Sequence, residues 1–203
     1  VIPVEVFNKR KAVNDKLAGL FQTADSEEVK RLNAWEQNQP GWACATPCSD
    51  SKRVYAQFMN GIFASYDLEG NRTWITKVPF PGNRHHGYSS SPALIGGRFI
   101  GLLGNEIYAW DAATGKLAWQ KKAGTLTWGS FVPLKWGGED AVFLTEGACF
   151  KASDGAELYK PGSFGGSIVP TPVVDAGTLY GLRWHGTKTG FGAYALPSAA
   201  GGD

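Results

Sequence analysis

Two spacings of hydrophobic residues divide the chain. In the first, Val13, Leu17, Leu20 and Phe21 recur at i, i+4, i+7 and i+8, one apolar face of a helix. Asp25 and Glu28 stand at capping-box spacing ahead of the next apolar stripe, Val29, Leu32 and Trp35. The pattern predicts two short helices in a segment over 1–40, closed by Pro40 and Gly41. From Trp42 onward the period changes to short β-rich runs separated by Gly, Asp and Pro, which predicts strands over 41–203.

The strand region repeats. Thr46-Pro47, Ser91-Pro92, Val132-Pro133 and Thr171-Pro172 each precede a short apolar run, at Pro-to-Pro intervals of 45, 41 and 39 residues. A second landmark agrees: Trp74, Trp119 and Tyr159 are separated by 45 and 40 residues. Each unit reads as strand, turn, strand, turn, strand ending near an Asp, Gly turn, and a last strand carrying the aromatic residue. A four-stranded antiparallel unit of about 40 residues is a propeller blade, and it buries its two faces only by stacking on neighbours. The blades are expected at about 42–80, 86–122, 127–161 and 165–197, the last incomplete because the Gly turn and the final strand do not follow Gly192 to Pro197. Gly70, Gly115 and Gly155 are expected to turn the chain with positive φ. Trp74, Trp119 and Tyr159 are expected to wedge against the next blade, and Asp67 and Asp111 to bond amides of their own turns.

Composition sharpens this reading. Gly is 27 of 203 residues, about 13% against roughly 7% in ordinary domains, and there are 8 Trp. No run approaches 18 consecutive apolar residues, so no membrane-spanning helix is expected. The net charge is +2, and basic residues cluster only at Lys9 to Lys11 and at Lys121 and Lys122, so no nucleic-acid surface is expected. Cys44, Cys48 and Cys149 are an odd number with no zinc-type spacing. An extended chain would hold Cys44 and Cys48 roughly 13 Å apart, too far for a disulfide, so a bridge would need a turn there or pairing with Cys149.

The run Ala109-x-Asp111-x-x-Thr114-Gly115-Lys116-x-x-Trp119 resembles the tryptophan-docking repeat of pyrroloquinoline-quinone-type β-propellers. The resemblance extends over about 42–197; it is strongest in the second unit and degenerate in the third, where Lys151 and Tyr159 replace Asp and Trp. It implies an all-β propeller of four-stranded antiparallel blades, about three and a half of them here, in a superfamily whose members close with seven or eight. On that basis the chain reads as a partial propeller, completed by further blades or a protein partner. The superfamily includes quinoprotein dehydrogenases, the barrel-assembly lipoprotein of the bacterial outer membrane and non-enzymatic envelope proteins. The resemblance therefore implies a periplasmic or extracellular setting.

Candidate chemistry lies in the segments leading into each first strand, which propellers gather at one axial face. Trp42, His85, His86, Tyr88, Trp128 and Phe164 fall there. An aromatic surface with a few polar groups is the usual ligand pattern, whereas rings that merely shield the blade ends are the plainer reading. Adjacent residues on a strand point to opposite faces, so the His85-His86 pair is not expected to hold one metal ion.

Asp67, Asp111 and Asp154 all sit in repeat turns, and no vicinal Cys pair, phosphate loop or nucleophile elbow is present. The leading expectation is a non-catalytic protein-interaction scaffold of the bacterial envelope with no cofactor. The alternatives are a segment of a dehydrogenase using pyrroloquinoline quinone with calcium, and a carbohydrate-binding propeller stacking sugars on Trp42, Tyr88 and Trp128.

Overall fold

A computed structural model of the chain describes residues 43–81, 87–123, 128–145, 147–159, 170–185 and 188–196. The predicted N-terminal helices lie outside them. The described part is all β, four antiparallel sheets in chain order, as the repeats require. Blade 1 comprises β1 (Cys48–Ser49), β2 (Arg53–Gln57), β3 (Ile62–Asp67) and β4 (Arg72–Lys77). Blade 2 comprises β5 (Ala93–Ile95), β6 (Arg98–Leu103), β7 (Glu106–Asp111) and β8 (Leu117–Lys122). Blade 3 comprises β9 (Val132–Trp136), β10 (Glu139–Phe143), β11 (Cys149–Lys151) and β12 (Glu157–Tyr159). Blade 4 contributes β13 (Val173–Asp175), β14 (Thr178–His185) and β15 (Lys188–Ala195). Every strand pairs with its sequence neighbour, giving meanders with the first strand at one edge.

Alternation along the strands gives each blade a leading face, toward the blade before it, and a trailing face, toward the blade after it. On the trailing face of blade 1, Tyr55 pairs with Ser65 and Ser65 with Trp74, and all three are buried. Tyr55 and Trp74 meet Phe99, Tyr108, Trp110 and Ala112 on the leading face of blade 2 in one apolar cluster. Tyr55 stacks on Phe99 with ring centroids 5.3 Å apart, and Phe63 lies 4.2 Å from Trp110. Blades 2 and 3 repeat the arrangement: Ala93, Ile100, Ala109 and Trp119 pack on Val142, Leu144, Phe150 and Ala152. Between blades 3 and 4 the cluster shrinks to Val132, Leu134, Ala141, Phe143 and Cys149 around Leu179.

The last-strand tryptophans cross these junctions. Trp74 Nε1–H donates to the Ala112 carbonyl at 2.9 Å, and Trp119 Nε1–H to the Ala152 carbonyl at 2.8 Å. Each ring lies over a turn glycine of the next blade, Trp74 on Gly115 and Trp119 on Gly155. Tyr159 differs: its side is 40% exposed, and its ring lies 5.3 Å from Trp136 of its own blade.

The register corrects one landmark. Pro133 lies inside β9, opposite Val142, and Phe131 occupies the position that Pro47, Pro92 and Pro172 hold in the other blades. The first strand is an edge strand, where a missing N–H can face away from the ladder, so Pro133 is tolerated there.

The turn carboxylates are held by their own turns. Asp67 accepts the Asn71 backbone N–H at 2.7 Å and Asn71 Nδ2 at 2.9 Å. Asp111 accepts the Thr114 hydroxyl at 2.7 Å and the Thr114 backbone N–H at 2.9 Å, and Asp154 accepts the Ala156 N–H at 2.8 Å. The Asn71 side chain holds Asp67 below the usual carboxylate range. The Thr114 hydroxyl, then its N–H, does the same for Asp111. A folded value below the unfolded one gives stability that is complete above the unfolded pKa and lost as pH falls through the folded one. The expected result is a loss of stability as pH drops below about 4, with a shallower acid slope in Asp111→Asn. Urea midpoints measured from pH 6 to pH 2 check it, and identical slopes would contradict it.

Candidate functional site

The two ends of the blades differ chemically. At one end the first and last turns of a blade meet: Ala112 N–H donates to the Gly97 carbonyl at 3.0 Å and Ala152 N–H to the Asp140 carbonyl at 2.8 Å. Asp67, Asp111 and Asp154 belong to this end. The opposite end is formed by the middle loops, such as 58–61 and 104–105, together with the described parts of the segments that lead into the first strands. Of the six residues expected on that face, Tyr88 and Trp128 are described and both are half-buried. Trp42, His85, His86 and Phe164 lie outside the described residues.

The chain that carries Tyr88 and Trp128 is built from small and hydroxyl residues. The Ser89 hydroxyl donates to the Trp128 carbonyl at 3.4 Å, which links the approaches to blades 2 and 3. Beside Trp128, Gly129 lies so close to Thr145 that a Cβ there would collide with the threonine side chain. At the junction of blades 1 and 2, the Cys44 thiol stands 3.1 Å from Met59 Sδ and 3.6 Å from the Tyr88 carbonyl. Buried Gln57 donates through Nε2 to the Leu102 carbonyl at 2.7 Å and the Ser90 carbonyl at 3.3 Å. The backbone carbonyl of Tyr88 thus faces the Cys44 thiol, and that of Trp128 accepts from Ser89.

A hydroxyl relay runs from blade to blade through the segments that lead into the first strands. Thr46 N–H donates to Ser91 Oγ at 2.9 Å, Ser91 N–H to Ser130 Oγ at 3.1 Å, and Ser130 N–H to Thr171 Oγ1 at 3.0 Å. Each acceptor stands two residues before the first strand of its blade. The sequence carries this signal in Thr46-Pro47, Ser91-Pro92 and Thr171-Pro172, where the hydroxyl residue and not the proline marks the register. Gln57 was also missed. Its mark is a polar side chain two residues after Tyr55, on the same face of β2 and so pointed into the junction.

The three cysteines are free. Burial pushes the Cys48 thiol up to about 11 and the Cys149 thiol to about 12, and raises Cys44 as well. All three are thus neutral thiols at ordinary pH, without the thiolate character of a nucleophile. Among the described residues no three His, Cys, Asp or Glu side chains gather as a metal-binding group. The described part of this face offers aromatic edges, hydroxyls and backbone groups.

Comparison with known proteins extends this picture. A family model described as outer membrane protein assembly factor BamB, of the pyrroloquinoline-quinone-type repeat class, matches residues 23–181. The chain belongs to this family. No curated protein matches it in sequence. Among solved structures, the quinohemoprotein alcohol dehydrogenase from Comamonas testosteroni aligns with TM-score 0.52 at 19% identity, covering 71% of this chain and 29% of that one. The computationally designed Ika4 protein aligns with TM-score 0.52 at 10% identity, covering 77% and 92% respectively. BamB from Moraxella catarrhalis aligns with TM-score 0.49 at 17% identity, covering 67% and 39%. The chain thus spans about two-fifths of that BamB and less than a third of that dehydrogenase. At these identities the alignments above 0.5 establish a shared propeller fold.

Proposed function

We infer that this BamB-family chain is a non-catalytic propeller scaffold of the bacterial envelope, presenting the Tyr88 and Trp128 face to a protein partner. Membership of a family described as an assembly factor carries this reading. The chemistry of the described residues supports it. Half-buried aromatic rings on a rigid hydrogen-bonded base are suited to recognition, whereas the repeat carboxylates are engaged in turns at the other end. Cys44 and Cys48 are not adjacent in sequence, so they do not form the vicinal pair that the dehydrogenase branch implies. The reading needs no cofactor. It places the protein outside the cytoplasm, and among the described residues no helix is long and apolar enough to cross a membrane.

The test uses a photo-crosslinking residue at Ser89 in cells of a bacterial host. The expected result is one discrete crosslinked envelope protein, lost in Trp128→Ala while the urea midpoint of the variant stays near that of the parent. In parallel, the purified protein is incubated with pyrroloquinoline quinone and Ca²⁺ and assayed for dye-linked alcohol oxidation. Stoichiometric quinone uptake with turnover would overturn the scaffold reading, as would a crosslink indifferent to Trp128.

A further inference from the structure

Two hydrogen bonds tie the approach to blade 2 to the approach to blade 3, and both join residues 39 apart in sequence. The Ser89 hydroxyl donates to the Trp128 carbonyl at 3.4 Å, and Ser91 N–H to Ser130 Oγ at 3.1 Å. The constant offset means that segments 88–91 and 128–131 run parallel and in step. Phe131 N–H adds a third tie, to the Ser91 carbonyl at 3.3 Å. In this register Tyr88 adjoins the residue that faces Trp128. The two aromatic residues of the candidate face are thus neighbours across a short parallel strap, although 40 residues of sequence separate them.

The strap is not an ordinary parallel ladder, which is built from backbone donors and acceptors. Two of its three ties use a serine hydroxyl, so side chains set the spacing of the two segments. Gly129 explains why that spacing needs setting. It fits against Thr145 only because it has no Cβ, which would collide with the threonine side chain. The same missing Cβ gives the backbone between Trp128 and Ser130 more freedom than any other residue would allow. Thr145 bounds that backbone on one side, and the serines of the strap bound it on the other. Tyr88 packs at the edge of the apolar cluster between blades 1 and 2, so the strap refers Trp128 to a residue already anchored on the neighbouring junction.

Ser130 has two separable parts in this arrangement. Its N–H donates to Thr171 Oγ1 at 3.0 Å, toward blade 4, and its Oγ accepts from Ser91, toward blade 2. Ser130→Ala keeps the first bond and removes the second, leaving the Ser91 N–H without its acceptor.

We propose that Ser130 is a positioning residue of the Tyr88 and Trp128 face: by accepting the Ser91 N–H it holds the two aromatic residues at one spacing, so that a single partner segment engages both. That role exists only if the face binds a partner, and so it rests on the function proposed above.

The photo-crosslinking residue at Ser89 serves again, since it removes the Ser89 hydroxyl and leaves Ser130 as the side-chain tie between the segments. The crosslink yield is expected to fall about fivefold in Ser130→Ala, the factor that one hydrogen bond of ordinary net strength is worth. The far-UV circular dichroism spectrum should stay that of the parent, so unfolding does not account for the loss. Ser130→Thr, which installs the residue that already accepts at Thr171 of blade 4, is expected to keep the parent yield. A second measurement needs no partner: in the purified protein the Ser91 amide should exchange its hydrogen about fivefold faster in Ser130→Ala and at the parent rate in Ser130→Thr. The absence of any discrete crosslinked protein from the parent overturns the partner-binding role and the positioning role together. A crosslink that Trp128→Ala abolishes and Ser130→Ala leaves at full yield overturns the positioning role alone. So does an unchanged Ser91 exchange rate, or a Ser130→Thr yield as low as that of Ser130→Ala.

Discussion

Trp119→Ala is expected to lower stability by about 3–5 kcal/mol, the range for removing a buried aromatic ring and leaving its cavity. The ring is 8% exposed and joins blade 2 to blade 3 through one cluster that also includes Ile100, Ala109, Val142 and Phe150. Its loss would also leave the Ala152 carbonyl without the indole N–H that it accepts at 2.8 Å. Trp119→Phe separates the two contributions, because it keeps most of the ring volume and removes only the donor, at an expected cost of about 1–2 kcal/mol. Urea unfolding followed by far-UV circular dichroism checks both. A repeat protein can lose one junction before the rest, so a separate early transition in Trp119→Ala would itself locate the damage. An unchanged midpoint would remove the ring's role in locking the blades.

The second large effect is expected at Gly115. Its φ of +70° is in the left-handed region, and a Cβ there would stand 2.6 Å from Cδ2 of Trp74. A non-glycine residue costs about 1–2 kcal/mol for the backbone alone, and forcing an atom into a packed junction costs about 1–3 kcal/mol more. Gly115→Ala should therefore destabilise by about 2–5 kcal/mol. Gly97 has the same φ of +70° with nothing within 4 Å of a Cβ, so Gly97→Ala measures the backbone part by itself. If the indole is what the new methyl strikes, Trp74→Ala and Gly115→Ala will be strongly non-additive in a double-mutant cycle. Equal effects at Gly97 and Gly115 would remove the indole from the account.

The fold was readable because the repeat writes the same constraints several times. Trp74 and Trp119 announce a junction, and Asp67 and Asp111 announce turns that satisfy their own amides. Two or more copies of such a pattern outweigh the ambiguity of any short strand. Pro133 misled for a physical reason: at an edge strand a proline meets little penalty, so its position records tolerance instead of register. The hydroxyl of Ser130 does record register, because an N–H of Ser91 needs it.

The candidate face was less readable. Tyr88 and Trp128 stand out as aromatic residues in loops, but their surroundings depend on contacts remote in sequence. Cys44 meets Met59, and Gln57 reaches Leu102; no periodicity encodes such meetings. Tyr159 shows the same limit. Sequence register equates it with Trp119, yet its ring rests on Trp136 of its own blade.

The tryptophan contacts also set an order of events during synthesis. Trp74 lies on Gly115 and Trp119 on Gly155, so each indole meets its docking turn only after a further 41 or 36 residues have been made. At bacterial or eukaryotic elongation rates that interval is roughly 2–8 s. Through it the indole lacks the turn on which it docks. In a nascent propeller of this kind the last contact of each junction is therefore completed only when the third strand of the next blade has been made.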